Sequence, residues 1–275
     1  MKILMIGHGM VGHKFIESVL EQAGDDIELT ILAEEPHLAY DRVHLTEYFS
    51  GKSVKDLSLC RSDFADAYGI DLRLNTKAVE IDQLNKTVIT SQGDVLSFDK
   101  LILATGSYAF VPPIPGNDRQ NCFVYRTIED LDAIRAASLN AKTGVVIGGG
   151  LLGLEAAKAL RDLNLETHVV EFAPRLMAVQ IDDLGGRVLR SKIEDLGVKV
   201  HTQKATSSIE DGANANHVMK FGDGAELETD IILFSAGIRP RDELARQSGL
   251  LMGERGGIII NDYCQTSHPD IYAIG

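Results

Sequence analysis

A chain of 275 residues, 44% of them hydrophobic and 24% charged, is long enough for two globular domains. Its formal net charge of −13 argues against nucleic acid or an anionic membrane surface as a partner, since both call for a cationic face. No apolar run approaches the ~20 residues of a membrane span. The start, Met1-Lys2-Ile3-Leu4-Met5-Ile6-Gly7, enters a strand without the features of a signal peptide, so a cytoplasmic protein is expected. Cys60, Cys122 and Cys264 form no C-x-x-C pair and the histidines show no ligand spacing, so the thiols read as incidental and no metal site is expected.

The first predicted element is a strand, Ile3 to Ile6, followed by the turn Gly7-His8-Gly9-Met10-Val11-Gly12. A helix follows, with Val11, Phe15 and Val19 in the spacing of one apolar face. A second strand, ELTILAEE, ends in Glu34 and Glu35. FADAYGIDLRL then reads as a polar helix, a glycine stop and an alternating strand. After short strands, DKLILATGS closes on Ala104-Thr105-Gly106, and Pro112, Pro113 and Pro115 mark an exit. The series then begins again. Val145 to Ile147 forms a strand, Gly148-Gly149-Gly150-Leu151-Leu152-Gly153 a turn, and Leu152, Ala156 and Leu160 the face of a helix. THVVEF ends in Glu171, KIEDLGVKVHT follows, and DIILFSAGIRP carries Ala236 and Gly237. The glycine turns lie 141 positions apart and the closing segments 131, so the chain holds an internal repeat.

A strand–turn–helix of this pattern suits a dinucleotide. The first glycine permits the tight turn, the second admits a pyrophosphate close to the backbone, and the third lets helix and strand pack closely. Candidate contacts are therefore Gly7, Gly9, Met10, Val11 and Gly12 in the first copy. In the second they are Gly148, Gly150, Leu151, Leu152 and Gly153. N–H groups at each helix start face the phosphates. An acid at the end of the next strand should accept from the adenosine ribose: Glu34 or Glu35, and Glu171. A carboxylate at Glu171 repels a 2′-phosphate, which predicts NADH over NADPH, and Arg175 would soften that unless it is a solvated surface arginine.

Two such units in this order, with Ala104-Thr105-Gly106, the SAGIRP stretch and TSHPDIYAIG, resemble the two-dinucleotide flavoprotein reductases typified by glutathione reductase. Thr266, Ala273 and Gly275 fall in register with that family's T-x6-A-x-G-acid motif. The resemblance implies an α/β fold of two Rossmann-like dinucleotide-binding domains, three-layer and glutathione-reductase-like. FAD would sit on residues 1–115 plus 241–275 and NAD(H) on an inserted 116–240. EEPHLAYDRVHLTEYFSG lacks the redox cysteine pair of the disulfide reductases, so disulfide reduction is not expected. That stretch, with GHGMVGHKFIE, CFVYRTIEDL, GGGLLGLEAA, THVVEFAPRLM and GIIINDYCQTSHPDIYAIG, is similar to the N-terminal reductase module of NAD(P)H-dependent nitrite reductase large subunits.

The similarity implies hydride transfer from NADH to FAD and onward electron transfer to a metal centre, in the reduction of nitrite to ammonia. Sirohaem and an iron–sulfur cluster would belong to C-terminal domains absent from these residues, and those domains and NADH are the expected partners. Alternatives are an NADH-dependent ferredoxin or rubredoxin reductase, which usually carries lysine where this chain has Glu47, and a redox-inert NAD/FAD-binding module. By the same resemblance Val79 touches the adenine through its backbone, Arg126 and Arg42 reach the flavin side, and Glu155 orients the nicotinamide. Ala104, Thr105, Gly106, Ala236 and Gly237 close the two sites. No catalytic side chain is assigned, because hydride transfer requires none. The competing structural readings are Val79 as strand core, Arg126 as a partner of Glu129 or Asp130, and Glu155 as a first-turn acid on the helix dipole. Because the residues stop at Gly275, before the acid expected on the ribityl chain, FAD is expected to be held weakly and NAD normally.

Overall fold

Strand Lys2–Ile6 carries four apolar side chains in a row, the pattern of a strand covered on both faces. The computed structural model, which describes residues 1–23 and 26–275, shows what covers it. The strand lies central in a five-stranded parallel sheet of order Ile271–Ala273, Lys100–Leu103, Lys2–Ile6, Glu28–Leu32, Asp71–Arg73. Alternate side chains divide between the faces. Ile3, Met5, Leu29, Ile31 and Ile102 form one cluster with Ile16 of the helix Met10–Ala23 and with Phe64 and Ile70. Leu4, Ile6, Leu32, Leu101 and Leu103 meet Ala78, Ile81, Val88 and Phe98, which belong to an antiparallel three-stranded layer spanning Ala78–Asp82, Thr87–Thr90 and Val95–Ser97, and its flank. Each fully buried aliphatic side chain contributes about 1.5–3 kcal/mol, so both coverings matter to this sheet.

The second unit repeats the plan. Its parallel sheet runs Val198–His201, Glu166–Val170, Thr143–Ile147, Ile231–Phe234, Cys122–Val124. Val145, Ile147, Val170, Ile232 and Phe234 pack on Ile209, Met219 and Phe221 of the antiparallel layer Thr206–Asp211, His217–Phe221, Glu226–Thr229. Helix Leu151–Asp162 lies against the central strands, and the Leu160 methyls sit where a side chain at Gly144 would be. The helix Ile128–Ser138 starts from a capping box, Thr127 with Asp130.

The chain divides into a unit of Met1–Arg42, Val54–Tyr108 and Arg239–Gly275 and a unit of Val43–Ser53 and Ala109–Ile238. Two features differ from the boundaries read off the sequence. The crossings come at 108/109 and 238/239 instead of 115/116 and 240/241, and residues 43–53 group with the second unit. That segment is tied there by side chains: the Tyr125 hydroxyl donates to Thr46 Oγ1 at 3.1 Å, and the Tyr48 hydroxyl donates to Asp132. Arg135 stacks 4.1 Å over the Tyr48 ring and donates to the Tyr48 carbonyl at 3.0 Å. The strand Ile271–Ala273 pairs with Lys100–Leu103 in the first sheet. Among the described residues no helix is long and apolar enough to cross a membrane.

The expected helix faces hold at Phe15, Val19, Ala156 and Leu160, which pack inward, and fail only at their first residues. Val11 is 51% exposed and Leu152 39%, while Gly12 and Gly153 beside them turn inward. The third glycine of each turn sets that rotation. A Cβ at Gly12 would lie 2.6 Å from the Gly7 carbonyl oxygen, and one at Gly153 would overlap that of Gly148. Only glycine lets the helix come so close, so the face through it is buried and the neighbouring residue is left outside.

Candidate dinucleotide sites

Each glycine turn leaves the C-terminal end of a central strand at the point where the strand order reverses, the place where open α/β sheets bind ligands. Gly7 has φ +106° and Gly148 φ +119°, conformations that favour glycine. Side chains there would also strike carbonyl oxygens, that of Ala104 in the first unit and that of Ser235 in the second. The two contacts match: Ala104-Thr105-Gly106 in one unit stands where Ser235-Ala236-Gly237 stands in the other. Ser235 was not singled out in the sequence, although the 131-residue offset of the repeat points to it.

The second glycines are different. A Cβ built at Gly9 or Gly150 has no other heavy atom within 4 Å, so open space adjoins the turn where the helix begins. Gly150 caps its helix in an ordinary extended conformation with no side chain to satisfy the first N–H groups. Gly106 and Gly237 also face open space. Met10 and Leu151 begin the helices, and the exposed Val11 and Leu152 follow them. Orphan N–H groups, a helix dipole and room for a bulky anion fit a pyrophosphate at both turns.

The acids are placed unequally. The Gly7 N–H donates to the Leu32 carbonyl and the Gly148 N–H to that of Val170, each at 2.8 Å, so Ala33 and not Glu34 is the positional match of Glu171. This corrects the pairing of Glu34 with Glu171. Glu171 accepts from the N–H groups of Gly149 and Ala173, both at 2.6 Å, and so braces its turn. Glu34 lies one residue further on, held by Arg241 at 2.6 Å and Lys77 at 3.2 Å. Glu35 accepts from Tyr40 at 2.6 Å and pairs with Arg42, whose guanidinium lies 4.6 Å over the Tyr40 ring. Arg175 donates to the carbonyls of Ile181 and Ala178 and to Asp183, so it is neither freely solvated nor directed at a phosphate but holds its own loop.

Val79 sits at a register shift between Ala78 and Glu80 and its side chain is exposed, which rules out the core reading. The Arg126 N–H donates to Asp130 at 3.0 Å through the backbone; the Asp130 carboxylate serves the Thr127 cap and is raised in pKa by burial. Glu155 is the fifth residue of its helix, beyond the first turn, so the dipole reading fails; burial raises its pKa, opposed by His44. Burial likewise pushes the Tyr125 hydroxyl up to about 12. In the first unit Thr105 Oγ1 donates to the Arg241 carbonyl at 2.7 Å, Arg241 N–H to Gly106 at 2.9 Å, and Gly106 N–H to Gly275 at 3.0 Å. These bonds fasten the chain's return segment beside the first turn.

All 275 residues match the family described as pyridine nucleotide-disulphide oxidoreductase. The chain is 54% identical over 276 residues to the nitrite reductase (NADH) large subunit of Escherichia coli strain K12, covering 100% of this chain and 33% of that one. It is 40% identical to the nitrite reductase [NAD(P)H] of Bacillus subtilis strain 168, covering 100% of this chain and 34% of that one. Among solved structures, an NAD-dependent persulfide reductase from A. fulgidus superposes with a TM-score of 0.94 at 29% identity, over 100% of this chain and 53% of that one. The chain thus spans about a third of the length of the nitrite reductases it matches.

Proposed function

The chain belongs to the pyridine nucleotide-disulphide oxidoreductase family, and from that premise we propose that it is the flavoprotein reductase module of an NADH-dependent nitrite reductase large subunit. The first unit binds FAD and the second NAD(H). The observation that carries this reading is the duplicated glycine turn, with open space beside both Gly9 and Gly150. When bound, the flavin supplies the chemistry: it accepts hydride from reduced nicotinamide and releases electrons one at a time to a metal centre. The chain supplies position and charge. The helix starts at Met10 and Leu151 hold the two pyrophosphates, and Ala104-Thr105-Gly106 and Ala236-Gly237 wall the sites. Glu34 or Glu35 takes the FAD ribose and Glu171 that of NAD.

Val79 offers backbone to the adenine, Arg42 and Arg126 serve the flavin side, and the half-buried Glu155 orients the nicotinamide. The sirohaem and iron–sulfur domains of the longer subunit receive the electrons, in the cytoplasm, for nitrite reduction to ammonia. The experiment is anaerobic reduction. The chain is kept saturated with FAD and mixed with NADH, with free FAD at the same concentration as the blank. Bleaching of the flavin, faster with NADH than with NADPH, is expected. A chain that takes up no flavin even at saturating concentration, or flavin that NADH bleaches no faster than the blank, would overturn the proposal.

A further inference from the structure

We propose that His8, His13 and Cys60 form a binding site for one thiophilic d10 cation, Zn2+ or Cu(I), beneath the first glycine turn. His8 is the residue between Gly7 and Gly9, His13 lies on the helix Met10–Ala23, and Cys60 follows the short helix Val54–Leu57. One ligand atom from each can be chosen so that all lie within 4.8 Å of one another. The two imidazoles are enclosed, His8 8% exposed and His13 4%, and Cys60 is half-buried beside them. Phe64 lines the cluster, stacked 6.4 Å from His8 and edge-on 5.1 Å from His13, while the two imidazoles sit 5.6 Å apart.

The unusual feature is unmet hydrogen-bonding capacity. Both ring nitrogens of His8 and Nδ1 of His13 are buried without a hydrogen-bond partner. Buried imidazole nitrogens are ordinarily bonded, so three in one small volume call for a ligand. A hydrogen-bonded core histidine would not leave them bare. Water would satisfy the nitrogens, but the Cys60 thiol, which also meets the Ser58 hydroxyl, adds a soft donor that suits a metal ion better than water.

The donor set selects the ion. Two imidazoles and one thiolate with no carboxylate among them disfavour Mg2+ and Ca2+ and favour zinc or cuprous copper. Metal–ligand bonds of about 2.3 Å to sulfur and 2.0–2.1 Å to nitrogen place ligand atoms roughly 3.3–3.6 Å apart. Closing from 4.8 Å asks for side-chain rotation on the order of an ångström. As the metal–sulfur bond forms, the Cys60 thiol gives its proton to solvent. Glu17, whose Oε1 lies 3.7 Å from His13 Nε2, stands at the rim. The bound ion would tie the residues of the turn to the segment leading into Phe64. The sequence hid this set, because His8 and His13 are five apart and the thiol is remote from both.

The test uses the 275-residue chain, stripped of metal under reducing conditions and titrated with Zn2+ against a chromophoric chelator. One tight equivalent is expected, displaced by Cu(I) in competition, with Co2+ in its place giving a thiolate-to-metal charge-transfer band. Cys60→Ser should abolish that band and weaken Zn2+ by at least about tenfold, and Zn2+ should raise the melting midpoint of the unmodified chain but not of the variant. Should Cys60→Ser fail to fold, the unmodified chain still decides: Zn2+ should shield Cys60 from alkylation while leaving Cys122 and Cys264 as reactive as before. Absence of a retained equivalent, a Co2+ spectrum without the thiolate band, equal retention by a folded Cys60→Ser, or unshielded Cys60 would each overturn the site.

Discussion

Glycines that look alike in sequence do different physical work in the second turn. Gly153 has the Gly148 carbonyl where its Cβ would be, whereas Gly150 adjoins open space and has ordinary extended backbone. Gly153→Ala should therefore overpack the helix against its strand and cost about 1–3 kcal/mol, read as a drop of several degrees in the melting midpoint. Gly150→Ala, at an N-cap with open space and an extended backbone, should lower the midpoint clearly less than Gly153→Ala and act mainly on the nucleotide. Equal melting of the two variants would contradict the assignment. Glu171 offers a second residue-scale prediction. Its carboxylate is held by two N–H donors at the strand end, where a 2′-phosphate would lie beside it. Glu171→Gln keeps one acceptor and removes the charge. The ratio of kcat/KM for NADH over NADPH should fall by about one to two decades, with the melting midpoint checked in parallel. An unchanged ratio would remove Glu171 from the ribose site.

At the scale of elements, the strands Glu166–Val170 and Val198–His201 carry a paired titration. His168 Nδ1 and His201 Nε2 lie 3.0 Å apart with the rings stacked at 5.2 Å, and His168 Nε2 lies 3.2 Å from Glu166. Burial lowers both imidazoles below 6.5, and His168, Lys204, Arg190 and Lys199 depress His201 further. The unfolded chain takes up protons below about 6.5 that the folded pair refuses, so stability present above that pH is lost as pH falls. The melting midpoint of the second unit should decline from pH 7 to pH 5, and His201→Gln should flatten the decline; a slope unaffected by the substitution would point elsewhere. Which elements form was largely legible. Apolar runs bounded by glycine turns mark the sheets, and the repeat supplies their order. What escaped depends on tertiary contact. Periodicity gives most of each inward helix face, but the exposure of Val11 and Leu152 follows from a glycine pressed on a carbonyl, which periodicity does not report. The grouping of 43–53 follows from Tyr48 and Thr46 meeting Asp132 and Tyr125, partners distant in sequence. The offset between Glu34 and Glu171 appears only once strand ends are paired.

For the whole molecule, the duplication makes a claim about stoichiometry. Each unit has its own parallel sheet, helix and antiparallel layer, and each has one turn with open space beside its second glycine. One FAD and one NADH per chain are therefore expected, and not two competing copies of either. The two equivalent substitutions separate them. A methyl at Gly9 meets no protein atom but enters the space proposed for the FAD pyrophosphate, and a methyl at Gly150 does the same for NADH. Gly9→Ala should weaken FAD by about tenfold or more and leave NADH unaltered, while Gly150→Ala should do the reverse. Because the substituted positions lie in different units without shared partners, the double variant should show both losses, additive within a few tenths of a kcal/mol. Calorimetric titration of the four proteins with each nucleotide reads this directly. If either single substitution weakens both ligands alike, or if excess NADH displaces all the FAD, the two turns do not define two sites.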